Sequence, residues 1–224
     1  MALAVARSLE AGALAETPDD LALDDLALAL AGEVGNQPKG LLSDWLGRAI
    51  SVVGTRVLRT RRGHYTDAIV PFIGDVVVYQ GNGQPIRNTI AQAIRNAGPE
   101  ARVVLLGHSL GGIACVDLLA DTAFPTVKLL VTVGSQAPLF YEMNALQKLR
   151  FGDPLPEHFP HWLHVFDPQD FLSYIGKAVF KDPRDRITDV RVDNRQPFPD
   201  SHSAYWANPR TWDVIVPRLI EVDR

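Results

Sequence analysis

Apolar residues change their spacing along this chain, from helical intervals in the first quarter to short unbroken runs further on. Residues 1–34 are rich in alanine and leucine, with acidic breaks at Asp19, Asp20, Asp24 and Asp25 and a Thr17-Pro18-Asp19-Asp20 start signal; one or two helices are expected. Gly, Asn and Pro cluster in 33–40 and predict a loop. Over 41–60, Leu42, Trp45, Leu46, Ala49, Val52, Val53 and Val57 fall at helical spacing, while Arg48, Arg56, Arg59, Arg61 and Arg62 supply a basic side and end.

Beyond this the period shortens. "DVVVY" (75–79) reads as a β-branched strand, followed by a turn at 80–85 and a helix over 86–97 that Gly98-Pro99 ends. "ARVVLLG" (101–107), "VKLLVTVG" (127–134), "HWLHVFD" (161–167) and "ITDVRVD" (187–193) are further strand candidates. Helical or irregular segments separate them, and a helix over 209–222 closes the chain. Strands alternating with helices predict an α/β fold with a mostly parallel sheet and helices on both faces. The expected organisation is a helical N-terminal segment or cap over 1–65 and an α/β core over 66–224.

Composition narrows the field without naming a chemistry. Of the 224 residues, 46% are apolar and 21% charged, the balance of a soluble globular protein. A net charge of −4 gives no electrostatic reason to expect a nucleic-acid partner. One cysteine, Cys115, excludes an internal disulfide; on an apolar helical pattern it reads as a buried structural thiol. No apolar run reaches the roughly eighteen residues of a membrane span. The first twenty residues, with Arg7 and Glu10 breaking any apolar stretch, make a poor secretory signal, so with Met1 as the start a cytoplasmic protein is expected.

The chemistry-bearing stretch is "VVLLGHSLGG" (103–112). Gly107-x-Ser109-x-Gly111 fits G-x-S-x-G in the context that motif needs, a strand before and a helix after. A serine held in a strained strand-to-helix turn requires small neighbours, here Gly107, Gly111 and Gly112, to relieve clashes with the adjoining strand and helix. Its hydroxyl then projects at the C-terminal edge of the sheet, facing the positive end of the following helix. An ordinary small-residue turn, needed only for packing, is the plainer alternative.

On these residues the chain resembles the α/β-hydrolase fold family, particularly its lipase- and esterase-like members, over about residues 73–220. The resemblance implies a Ser-Asp-His triad in the chain order nucleophile, acid, histidine. Ser109 is then the nucleophile. Asp170, three residues past the end of the 161–167 strand, is the implied acid, with Asp167 as the alternative acid or a turn former ahead of Pro168. His202, in the loop after the last strand, is the implied base, and among the six histidines it alone follows that strand. His108, adjacent to the serine in sequence, is expected to point away from the nucleophile. His158, His161 and His164 recur every three residues, but no Cys or Glu pattern completes a ligand set, and no metal or cofactor is expected. His64 has no evident partner. Ser135 is expected to shape the cleft wall.

Acyl transfer also needs two donors for the developing oxyanion. By resemblance one is the backbone N–H of Leu110; the other comes from a loop after an earlier strand. Residues 1–60 show only helical periodicity, so that strand is not evident. Three readings follow: a strand upstream of Met1, which is favoured; a donor from "QGNGQ" (80–84); or a scaffold that has lost catalysis. The 41–60 helix admits contact with acyl chains or an anionic lipid surface as well as packing on its own domain, the latter being the simpler expectation. The expected activity is cleavage of a carboxylic ester, of a small molecule or a lipid, through an acyl-enzyme on Ser109. A non-catalytic binding or assembly domain and an acyltransferase are the alternatives.

Overall fold

Five short apolar runs form the sheet. In the computed structural model, which describes residues 2–6 and 62–224, they are β1 (Ala2–Ala6), β2 (Val103–His108), β3 (Val127–Val133), β4 (His161–Phe166) and β5 (Ile187–Arg191). All neighbours are parallel, and the spatial order follows the chain, β1-β2-β3-β4-β5. The helices are α1 (Arg62–Asn82), α2 (Gln84–Asn96), α3 (Leu110–Asp121), α4 (Ala137–Glu142), α5 (Asp200–Ser203) and α6 (Pro209–Asp223), with a 3₁₀ turn at Ala204–Ala207. The sheet belongs to a compact unit of Met1–Ser8 and Asp67–Arg224.

This order fixes which helices go where. Parallel strands laid down in sequence, joined by right-handed crossovers, place their connecting helices on one face. Side chains alternate between faces along each strand. Thr132 points to the α3 face, since a Cβ on Gly112 would meet its methyl at 3.2 Å. Val131 and Val133 point the other way, into a core with Val104, Leu106, Leu163 and Val165 that Tyr205 and Ile215 of the C-terminal segment cover. Helices therefore lie on both faces, and an α/β class with a parallel sheet is established.

Polar side chains inside this sheet are paired. Trp162 Nε1 donates to Thr132 Oγ1 at 2.8 Å, and that hydroxyl lies 2.6 Å from His164 Nδ1, tying β3 to β4. His164 Nε2 lies on the Tyr174 carbonyl, and burial pulls the ring's pKa down, so it stays neutral. A second network fastens α1 and α2 to α3: Tyr79 donates to Asp117 Oδ2 at 2.7 Å, and Arg87 donates to Tyr79 at 3.0 Å. Cys115 is fully buried, and burial pushes its thiol up to about 12, the behaviour of an inert packing residue.

Three expectations fail here. "DVVVY" is not a strand; it forms part of the last turns of α1. Only Tyr79 of the five is buried, while Val77 and Val78 are exposed, so the run lies on the surface and its β-branching is outweighed by the anchoring of Tyr79. The expected turn that follows is a junction between two helices, with Gly83 pressed against the Tyr79 ring and Arg87. Conversely, residues 2–6 are not helical. They pair in register with Val103–Gly107, so strand pairing overrides the helix propensity of alanine and leucine. A strand thus does lie beside β2 within residues 1–60, and its last residue, Ala6, is level with Gly107. The remaining expectations for residues 7–61, including the 33–40 loop and the amphipathic helix, lie outside the described residues. Among those described, no helix is long and apolar enough to cross a membrane.

Candidate active site

The turn after β2 carries the strain that the glycine pattern predicts. Ser109 adopts φ 53° and ψ −126°, a conformation that non-glycine residues rarely hold and that costs on the order of 1–3 kcal/mol. The chain is pinned on both sides: Ser109 N–H donates to the Val133 carbonyl at 3.1 Å, and Gly112 N–H donates to the Ser109 carbonyl at 2.9 Å. Gly107 leaves room for this return. A Cβ there would stand 2.9 Å from Gly112 N and 3.0 Å from the Gly111 carbonyl carbon. Gly112 makes the helix–strand approach, since its Cβ would sit 2.4 Å from Ser135 Oγ.

Three side chains distant in sequence meet at this rim. His202 Nε2 lies 2.9 Å from Ser109 Oγ, and His202 Nδ1 lies 2.9 Å from Asp170 Oδ2. The directions are forced by chemistry. A carboxylate only accepts, so Nδ1 carries the proton and Nε2 is left to accept from the serine. Asp170 is fully buried while the His202 side chain is 16% exposed, so water is kept from the carboxylate end of this pair. Asp170 Oδ1 also accepts from Leu172 N–H at 3.0 Å, and Oδ2 from the Tyr205 hydroxyl at 3.0 Å.

Asp167 stands elsewhere. Its carboxylate accepts from Gln169 N–H (2.9 Å) and Asn194 N–H (2.8 Å), joining the turn after β4 to the chain after β5. Of the two acids weighed from sequence, Asp170 is therefore the one on the imidazole. Tyr205 links both, since its oxygen accepts from Asp167 N–H at 2.9 Å while donating to Asp170. Burial, then the Asp170 charge, raises its pKa, so the hydroxyl remains a donor.

Some residues at the site were read wrongly or missed. His108 does not point away from the site. Its ring lies 4.8 Å from that of His202, and its Nε2–H donates to the His202 carbonyl at 2.7 Å. Burial, reinforced by the neighbouring imidazole, pulls the His108 pKa down to about 4, so it is neutral at pH 7. Ser135 is fully buried behind the elbow, accepting from Ala137 N–H at 3.2 Å; the next residue, Gln136, reaches Ser109, with Nε2 3.5 Å from its Oγ. Phe72 of α1 meets His202 edge-on at 6.2 Å. Gln136 was discoverable from its position just past a strand's C-terminal end, where open α/β sheets hold their ligands.

The other histidines have local roles. His158 Nε2 lies 3.0 Å from the Leu119 carbonyl, His161 begins β4 exposed, and His164 is the buried residue described above. Among the described residues no group of three or more metal-ligating side chains gathers. The chain matches no protein-family model, no curated protein and no solved structure in the three comparisons made.

Proposed function

We propose that this protein is a serine hydrolase of the α/β-hydrolase type that cleaves carboxylic esters through an acyl-enzyme on Ser109. The observation that carries the reading is the unbroken relay Ser109–His202–Asp170, with both joints at 2.9 Å, on a strained strand-to-helix turn. Ser109 Oγ attacks the ester carbonyl as His202 Nε2 takes its proton. The buried Asp170 carboxylate orients the imidazole and stabilises the imidazolium. Negative charge on the carbonyl oxygen falls near the N-terminus of α3, where the Leu110 N–H is a donor. Collapse expels the alcohol, which takes the proton from His202. Water then repeats the sequence on the acyl-enzyme, releasing the acid and restoring Ser109.

The ground for a non-catalytic scaffold is the want of an oxyanion strand in residues 1–60; β1, a strand of that stretch paired with β2, supports the catalytic reading instead. A fluorophosphonate probe tests the proposal, because it phosphonylates only an activated serine. Wild type is expected to label, Ser109→Ala not at all, and His202→Ala far more slowly. An unlabelled wild type, or equal labelling of Ser109→Ala, overturns the reading. Product analysis with added alcohols separates hydrolysis from acyl transfer.

A further inference from the structure

Gln136 is almost fully buried at the turn after β3, a costly place for a primary amide unless every polar atom is used. Its Nε2 donates to the Gly134 carbonyl at 3.0 Å. The opposite orientation would set two acceptor oxygens against each other at that distance, so the amide's direction is fixed. The second Nε2 hydrogen faces Ser109 Oγ at 3.5 Å, the outer limit of a hydrogen bond. Oε1 is left buried without a hydrogen-bond partner. The two amide heteroatoms are about 2.3 Å apart, so this orphan acceptor lies within about 6 Å of the nucleophile.

Resting on the hydrolase reading, we infer that Gln136 Oε1 accepts a hydrogen bond from the substrate, so that the preferred ester carries a hydroxyl or amide N–H close to its reacting carbonyl. Both Nε2 hydrogens are already directed at protein oxygens, so what the site asks of a ligand here is a donor. An apolar side chain at 136 would serve as well as a wall. An unpaired buried acceptor discriminates because an ester lacking the donor leaves it unpaired in the complex too.

The test compares kcat/KM for methyl 2-hydroxypropanoate and methyl 3-hydroxybutanoate with their isosteres in which methyl replaces hydroxyl. It uses wild type, Gln136→Met and Gln136→Leu, with circular dichroism and thermal melting to verify folding. Intrinsic ester reactivity divides out between proteins. The preference for the better hydroxy ester is expected to fall at least tenfold in both variants; a preference unchanged within twofold overturns the inference. Should neither variant fold, wild-type labelling rates by a fluorophosphonate bearing the hydroxyl and by its methyl analogue decide. A tenfold advantage for the hydroxyl supports the inference, and equal rates overturn it. Hydrolysis of every ester with no preference that depends on Gln136 removes this inference alone. A wild type that neither turns over nor labels removes the hydrolase reading and this inference together.

Discussion

Tyr205→Phe deletes one oxygen that serves two turns. The tyrosine is fully buried, so phenylalanine keeps the ring packing and isolates the hydroxyl. One lost bond is to the Asp170 carboxylate at 3.0 Å, a charged acceptor, for which about 1.5–3 kcal/mol is typical. The other leaves Asp167 N–H as a buried donor without its 2.9 Å partner, a loss of about 1–3 kcal/mol. Both act at one atom and do not simply add, so a net destabilisation of about 2–4 kcal/mol is expected. For a chain of this length that lowers Tm by about 4–16 °C, read by calorimetry or circular dichroism at pH 7. The His202–Asp170 bond does not pass through this oxygen, so fluorophosphonate labelling of the folded variant should slow by less than about tenfold. A Tm within about 2 °C of wild type would refute the reasoning, because the hydroxyl would then be holding neither turn.

Three further outcomes follow from the same geometry. Asp170→Asn removes the acceptor that sets the His202 tautomer, so the labelling rate should fall by about 10⁴-fold, whereas Asp167→Asn, acting on backbone N–H groups, should lower Tm and slow labelling far less; comparable labelling rates would reverse the assignment of the acid. The His108 pKa is depressed to about 4 from an unfolded value near 6.5, so between these pH values the unfolded chain binds the extra proton. Its stabilising contribution, on the order of 3 kcal/mol, is complete above about pH 6.5 and is lost as pH falls toward 4. His164 titrates in the same direction, so the difference in denaturation midpoint between wild type and His108→Gln across that window isolates His108, and parallel curves would contradict it. Gly107→Ala places a methyl against backbone that no rotamer relieves, and urea denaturation should show a loss of at least about 1–3 kcal/mol together with slower labelling.

The core strands were legible because each is a short apolar run bounded by turn residues. The β2, β3, β4 and β5 runs lie within two residues of their expected limits. The candidate triad was legible for a related reason: its members follow strand ends in chain order, and "GHSLGG" fixes the first of them. Where the reading failed, local composition conflicted with tertiary packing. Ala2–Ala6 carries the residues of a helix and is a strand through pairing with β2, while "DVVVY" carries those of a strand and is helical because Tyr79 anchors to Asp117. His108 and Gln136 were misjudged or missed because their roles depend on where a carbonyl and a hydroxyl lie in space, which spacing along the chain does not encode.

The bonds around Tyr205 also say how the relay would come apart. Ser201 Oγ donates to the Gln169 carbonyl, Asn194 joins Asp167 to the Ser201 carbonyl, and Tyr205 spans Asp167 and Asp170, so His202 and Asp170 ride on a single cross-braced block. The elbow grips that block through the adjacent residues 108 and 109. Thermal excursions should therefore slip at the seam between serine and imidazole while the imidazole and its carboxylate travel together.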